Sequence, residues 1–283
     1  KKGLGTDRGG VYLDLSCSPK SPKDIENNLY ELMGSVFKYL KNMDIDLVKE
    51  KIEVAPAAHY TLGGIRINER CETNILGLFA AGEASGNLHG ANRLSGNALA
   101  ETQVFGKIAG ETAAEYARKN PEITLNKNDV LEALEEVESI FVAREKGVKP
   151  VEVKRKIKGI MTDYLGFGRE EKGLKTALDL LEKIAKEDIN SLRLTGNKVF
   201  NLDLINALEC IFMVDVAKMI VLSALQRQES IGHHYRIDFP ENKTCNNQEH
   251  TLLKKVQNKI IVKKIPVDKT QWGDIYAREN DRY

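Results

Sequence analysis

Three short blocks between residues 59 and 110 hold the residues whose types and spacing could do chemistry. They read HYTLGGI at residues 59–65, GLFAAGE at 77–83 and HGANRLSGNAL at 89–99. Glycines let a backbone approach a flat ligand closely, because they carry no side chain. A helix start offers N–H groups to an anion, and His and Arg side chains can hold a carboxylate. The combination predicts a redox cofactor site with an anionic substrate beside it.

Two basic side chains in these blocks are candidate substrate ligands. Arg93 presents a planar fork of donors that matches a carboxylate, and His59 can donate a second hydrogen bond. Taken alone, a histidine beside a Gly-Gly turn is more often structural, and an arginine before a helix is more often paired at the surface. Their spacing around one apolar run favours a shared site. We therefore expect both side chains to face one pocket beside the start of the helix that Asn97 begins.

The cofactor-facing candidates follow from the same blocks. The apolar run Leu76–Ala81 predicts a strand buried on both faces, and Glu83 comes just after it, where ligands bind in open α/β sheets. An acid in solvent at a strand end is the ordinary alternative for Glu83. The predicted helix start would leave the N–H groups of Ala98 and Leu99 for an anionic acceptor, with a plain helix cap as the alternative.

Composition excludes several classes of protein. The chain has 283 residues, with 42 basic and 41 acidic side chains and a formal charge of +1, so nothing favours nucleic acid or a charged membrane surface. Charged residues interrupt the longest apolar stretch, Leu202–Leu225, which predicts a buried helix and no membrane span. The cysteines show no CxxC pair, which predicts no metal site and a reducing, cytosolic setting; they are Cys17, Cys71, Cys210 and Cys245. We see no signal peptide, and a start without methionine is typical of a piece of a longer protein.

Periodicity predicts the remaining elements. Alternation favours strands at Gly10–Leu15 and Lys259–Val262, and a 3.6-residue stripe favours a helix from about Ser21 to Asn42. A helix from Asn97 to about Lys119 should bury Leu99 and Val104 among its apolar residues. Beyond Pro121 we expect an antiparallel helical bundle. Its predicted helices are Asn128–Glu145, Val151–Tyr164, Glu170–Asp188 and Leu202–Gln228.

The three blocks, the last extended to HGANRLSGNALAETQVFGKIAGE at residues 89–111, resemble the carboxyl-terminal half of the fumarate reductase/succinate dehydrogenase flavoprotein family. L-aspartate oxidase belongs to the same family. GGVYLDL at residues 9–15 resembles the end of the family's capping domain, and QESIGHHYR at 228–236 resembles its segment after the helical bundle. In that segment Ile231 stands where an arginine is usual.

The resemblance implies a mixed α+β chain. Residues 1–52 would be the end of a capping domain, and residues 53–122 the returning part of an FAD-binding domain. Residues 123–230 would be the antiparallel bundle and 231–283 a short β-containing tail. The amino-terminal FAD and capping half would be a partner that this chain lacks.

The resemblance also implies a reaction. His59 and Arg93 would bind a C4 dicarboxylate, Glu83, Ala98 and Leu99 would contact FAD, and flavin N5 would exchange a hydride with one carbon of the succinate/fumarate pair. Many members have serine where Ala98 stands, but the contact is through the backbone. The proton-donor arginine lies upstream in the family, so we expect no catalytic residue and no activity in this piece alone.

Two alternatives remain open. The protein could be an L-aspartate oxidase, or the piece could be a non-catalytic module that docks an iron–sulfur subunit. That subunit is an expected partner of a succinate- or fumarate-converting enzyme too. We expect the protein in the cytoplasm, or at the inner face of the membrane through its partner subunits.

Overall fold

The chain forms two units, Lys1–Thr61 and Leu62–Tyr283, in a computed structural model. The structure describes residues 5–122, 124–141, 146–195, 199–240, 249–256 and 259–267. In the first unit, strand β1 (Val11–Leu13) pairs antiparallel with strand β2 (Ile52–Val54), and helix α1 (Pro22–Asn42) lies between them in sequence. The predicted first strand and first helix are confirmed.

Ser21 caps the start of helix α1. The Oγ atom of Ser21 accepts a hydrogen bond from the N–H of Asp24 at 3.2 Å, which satisfies one of the first-turn donors. Phe37 is fully buried and meets the ring of Tyr30 edge to face, with 4.9 Å between the ring centroids.

The second unit opens with loops held by isolated bridges, followed by helix α2 (Asn97–Lys119). The predicted strand Leu76–Ala81 is wrong: Phe79 forms a single bridge to Glu72, and Leu76 is 90% exposed. The apolar run is broken by a turn, in which Gly77 has φ +78° and the N–H of Leu78 bonds the carbonyl of Ile75.

Helices α3 (Lys127–Ile140), α4 (Pro150–Leu165), α5 (Glu171–Lys183) and α6 (Leu202–Gln226) follow. Helices α4, α5 and α6 pack around one apolar core, whereas α3 contributes no buried side chain. The buried face of α6 recurs every three or four residues and consists of small side chains. These are Ala207, Cys210, Val214, Ala217, Val221 and Ala224. The end of the predicted helix Asn128–Glu145 lies outside the described residues.

A hairpin of β3 (Glu249–Val256) and β4 (Lys259–Pro266) closes the described chain and confirms the predicted strand at residues 259–262. The Nζ atom of Lys255 bonds Asp215 on α6 at 2.7 Å. Within the described ranges, no helix is long and apolar enough to cross a membrane. The same part of the chain holds no group of three or more His, Cys, Asp or Glu residues arranged to bind a metal ion.

Candidate functional site

The end of the first glycine-bearing block contacts the backbone of residues 84–86, directly after the second block. The N–H of Ile65 bonds the carbonyl of Ala84 at 2.8 Å, and the N–H of Gly86 bonds the carbonyl of Ile65 at 2.9 Å. A Cβ atom on Gly64 would lie only 2.4 Å from the Ala84 oxygen. Gly64 therefore permits a close approach between two segments of the chain itself.

Glu83 lies in a single 3₁₀ turn, Gly82–Ala84, and its side chain is exposed. This turn packs against α2 near the start of the helix, because a Cβ on Gly82 would lie 3.4 Å from the Cγ2 atom of Thr102. The structure thus brings Glu83, Ala98 and Leu99 into one neighbourhood.

No side chain caps the start of α2, and the N–H of Asn97 bonds only the preceding carbonyl of Leu94, at 3.3 Å. Gly96 is the N-cap residue, with φ +87° and no side chain to bond the first turn, and that turn contains no acidic residue. The first N–H groups of a helix carry partial positive charge and lack partners within the helix. Leu99 is 78% exposed and Val104 is 54% exposed, so the prediction that α2 buries them is wrong for this chain.

A buried pair that the sequence analysis missed fixes the loop before α2. We call residues 89–96 the Arg93 loop. The Nε2 atom of His89 lies 2.8 Å from the Oε2 atom of Glu101, and these side chains are only 13% and 2% exposed. A carboxylate in such surroundings needs a hydrogen-bonding partner. The available signal was the position of Glu101, which shares a helix face with Phe105 and Thr112.

Arg93 itself is half-buried, and its Nη1 atom donates to the carbonyl of Leu94 at 3.1 Å. His59 is exposed and belongs to the first unit, whereas Arg93 belongs to the second. That the two side chains share one pocket stays a prediction.

The segment after α6 reaches back to the Arg93 loop. We call residues 230–235 the tail turn; in it Ile231 and His234 exchange two backbone hydrogen bonds of 2.9 Å. The N–H of His233 donates to the carbonyl of Ala91 at 3.0 Å. Gly232 has φ +54°, and a Cβ there would lie 2.2 Å from the Ala91 oxygen.

His234 has a structural environment. Its Nδ1 atom lies 3.0 Å from Nη1 of Arg169, and its Nε2 atom lies 3.0 Å from the carbonyl oxygen of Arg227. Burial is the main cause that lowers the pKa of the His234 imidazole.

Arg236 joins the ends of two helices. It is fully buried, bonds both carboxylate oxygens of Asp238 at 2.8 and 2.7 Å, and donates to the carbonyls of Ala224 and Arg227 at the end of α6. The Oδ2 atom of Asp238 accepts from the N–H of Glu171, the first residue of α5, at 2.9 Å. The bond from Arg236 lowers the pKa of Asp238 to about 2. One ion pair thus bonds backbone groups that lack partners within their own helix, at the end of α6 and the start of α5.

The comparisons with known proteins agree with this architecture. Residues 7–99 match the model of an FAD binding domain, and residues 154–281 match the fumarate reductase flavoprotein C-term model. The chain belongs to the fumarate reductase/succinate dehydrogenase flavoprotein family. This is a family of FAD-dependent oxidoreductases, and the expected mixed helix and strand class is confirmed.

Two curated relatives and one solved structure illustrate the family likeness. The chain is 43% identical over 245 residues to an uncharacterized FAD-dependent oxidoreductase of Methanocaldococcus jannaschii, with 86% of this chain and 42% of the relative covered. It is 36% identical over 260 residues to the fumarate reductase flavoprotein of Escherichia coli, with 88% of this chain and 41% of that one covered. The structure of Mycobacterium smegmatis Sdh1 in complex with UQ1 superposes with a TM-score of 0.80 at 29% identity, over 99% of this chain and 47% of that one. The chain spans less than half of the length of each.

Proposed function

We propose that this chain is the carboxyl-terminal part of an FAD-dependent flavoprotein subunit that interconverts succinate and fumarate. The observation that carries the proposal is the start of α2, which has no side-chain cap and no acidic residue in its first turn and is flanked by Glu83 and the Arg93 loop, in a chain of this family. The donors and acceptors fit the cofactor: backbone N–H groups of Ala98 and Leu99 suit the electron-rich edge of a flavin, and the carboxylate of Glu83 suits cofactor hydroxyls. Bound FAD would supply a hydride acceptor and donor at N5.

The chain's own residues would bind and orient the dicarboxylate. Arg93 would hold one carboxylate with its planar fork, and His59 would add a hydrogen bond. Two fixed carboxylates leave the central carbons in one orientation, which favours reaction at a defined atom. The proton for the other carbon would come from a residue outside this chain.

The apolar surface of α2 supports a missing half. Leu99, Gly106 and Gly110 share one side of the helix; Leu99 is exposed, and a Cβ on either glycine would meet nothing within 4 Å. We propose that the amino-terminal FAD and capping half of the same protein covers this face. The isolated chain should then bind FAD weakly and show no turnover; a yellow, active preparation of the chain alone would contradict this.

The complete flavoprotein, assayed with succinate, fumarate and L-aspartate, tests the reaction. Oxidation of succinate or reduction of fumarate without oxidation of aspartate is the expected result. Turnover of aspartate in preference to succinate would assign the protein to the L-aspartate oxidase branch.

The role of Arg93 can be tested by Arg93→Lys in the complete flavoprotein. Lysine keeps the charge and loses the bidentate fork, so we expect the KM for the dicarboxylate to rise about 10- to 100-fold, as loss of a charge-assisted hydrogen bond predicts. Arg118→Lys, at an exposed position on α2, is the matched control and should leave the KM unchanged. If the two variants had equal KM values for the dicarboxylate, Arg93 would not be a substrate ligand.

An exposed apolar stripe on α6 supports docking of an iron–sulfur subunit. Leu202, Ile205, Phe212 and Val216 share one helix face opposite the buried small residues, and Phe212 is 64% exposed. Phe212→Glu should abolish co-purification of that subunit while the flavoprotein still folds. If the iron–sulfur subunit still co-purified with the Phe212→Glu variant, the apolar stripe on α6 would not be its docking surface.

A further inference from the structure

The contact between the tail turn and the Arg93 loop leaves no room for a side chain. A Cβ on Gly232 would lie 2.2, 2.6 and 2.9 Å from the O, C and Cβ atoms of Ala91. Real Cβ atoms essentially never approach another heavy atom closer than 3.0 Å. The N–H of His233 also bonds the carbonyl of Ala91 at 3.0 Å, so the contact is both tight and hydrogen-bonded. Ala91 lies two residues before Arg93 in the chain.

The tail turn is itself held on the helices. His234 is bonded between Arg169, just after α4, and the carbonyl of Arg227, just after α6. Ser230 is buried, accepts from the N–H of Arg236 at 2.9 Å and donates to the carbonyl of Phe239 at 2.6 Å. These bonds tie the tail turn to the ends of the packed helices, and the tail turn in turn contacts the Arg93 loop.

We propose that the tail turn is a positioning element that fixes the Arg93 loop against the helices, so that the guanidinium of Arg93 is held ready for the substrate carboxylate. The proposal rests on the proposed function, because it takes Arg93 as a substrate ligand. Gly232 is a positioning residue in it and touches no substrate. The helices α4 to α6 thereby contribute to substrate affinity through a contact outside the pocket.

The test is Gly232→Ala in the complete flavoprotein. The new Cβ must push the backbones of Gly232 and Ala91 apart by about 1 Å, and a misplacement of that size can cost about 100-fold in rate. We expect kcat/KM for the dicarboxylate to fall about 100-fold, chiefly through KM. The KM for an artificial electron donor dye and the flavin absorbance spectrum should not change, whereas a general loss of structure would alter both.

Gly9→Ala is the matched control, because Gly9 has φ +83° and a Cβ there would meet nothing within 4 Å. It carries the same kind of backbone strain without the clash and should leave the dicarboxylate KM within about twofold. If Gly232→Ala does not fold, His234→Ala takes its place, and it should raise the dicarboxylate KM in the same direction. A Gly232→Ala protein, or failing that a His234→Ala protein, that folds with an unchanged dicarboxylate KM overturns the proposal. A wild-type protein inactive on succinate and fumarate would instead overturn the proposed function.

Discussion

Replacing Asp238 with asparagine should destabilise the second unit, because it removes the charge that compensates the fully buried guanidinium of Arg236. The pKa of Asp238 falls from 3.8 to about 2, which corresponds to at most about 2 kcal/mol at neutral pH, because solvent screens the exposed carboxylate. Breaking one side of a buried ion pair costs about 3–5 kcal/mol in general. Two carbonyls still bond Arg236, so we expect Asp238→Asn to lower the free energy of unfolding by about 2–4 kcal/mol.

Urea denaturation of the complete flavoprotein measures this free energy, and Asp215→Asn is the control. Asp215 pairs with Lys255 in an exposed ion pair, with side chains 41% and 50% exposed, and should cost less than about 1 kcal/mol. Equal destabilisation by the two variants would refute the assignment of Arg236 as a buried charge that depends on its partner.

The pH dependence follows from the lowered pKa. Because the folded-state pKa of Asp238 lies below the unfolded value, the contribution is complete well above pH 4 and is lost as pH falls toward 2. At pH 3 about half of it should remain. The stability difference between wild type and Asp238→Asn should therefore shrink between pH 5 and pH 3, and a constant difference would contradict the linkage.

Further predictions concern the backbone, the buried pair and the thiols. Gly64→Ala places a Cβ 2.4 Å from the Ala84 oxygen, so we expect a loss of about 1–3 kcal/mol in urea denaturation. Glu101→Ala leaves the imidazole of His89 without its carboxylate partner and should lower the free energy of unfolding by about 1–3 kcal/mol. Glu115→Ala, which removes a 41% exposed carboxylate from the same helix, should lower it less. Cys17 is exposed and should react with a thiol reagent in the folded protein, whereas Cys71 is buried with a raised pKa and should react only after unfolding, as timed mass spectrometry can show.

Local signals predicted the helices well. The spacing of apolar residues located α1, because it depends on neighbours within one or two turns. The long apolar stretch predicted helix α6, although the prediction extended to Gln228 and the helix ends at Gln226. The strand at Leu76–Ala81 failed, since an apolar run does not reveal a positive φ at Gly77.

The sequence did not predict contacts that depend on how separate segments of the chain fold together. His89 and Glu101 are close in sequence, but their contact depends on how the Arg93 loop folds back on α2. Arg236 caps helix ends that lie in distant parts of the chain, and no periodic pattern encodes such a contact. The motif blocks, by contrast, pointed to the correct family, because their glycines and charged residues occur in an unusual combination.

The hydrogen bonds of Ser230 have a consequence for how this protein can vary. Its hydroxyl joins Arg236 and Phe239, so the backbone from position 230 to 239 is closed on itself by a single oxygen atom. Adding or deleting a residue inside that closed stretch would break the ring, whereas changes beyond it leave the ring intact. Insertions and deletions among related sequences should therefore occur after Phe239 and not between Ser230 and Phe239.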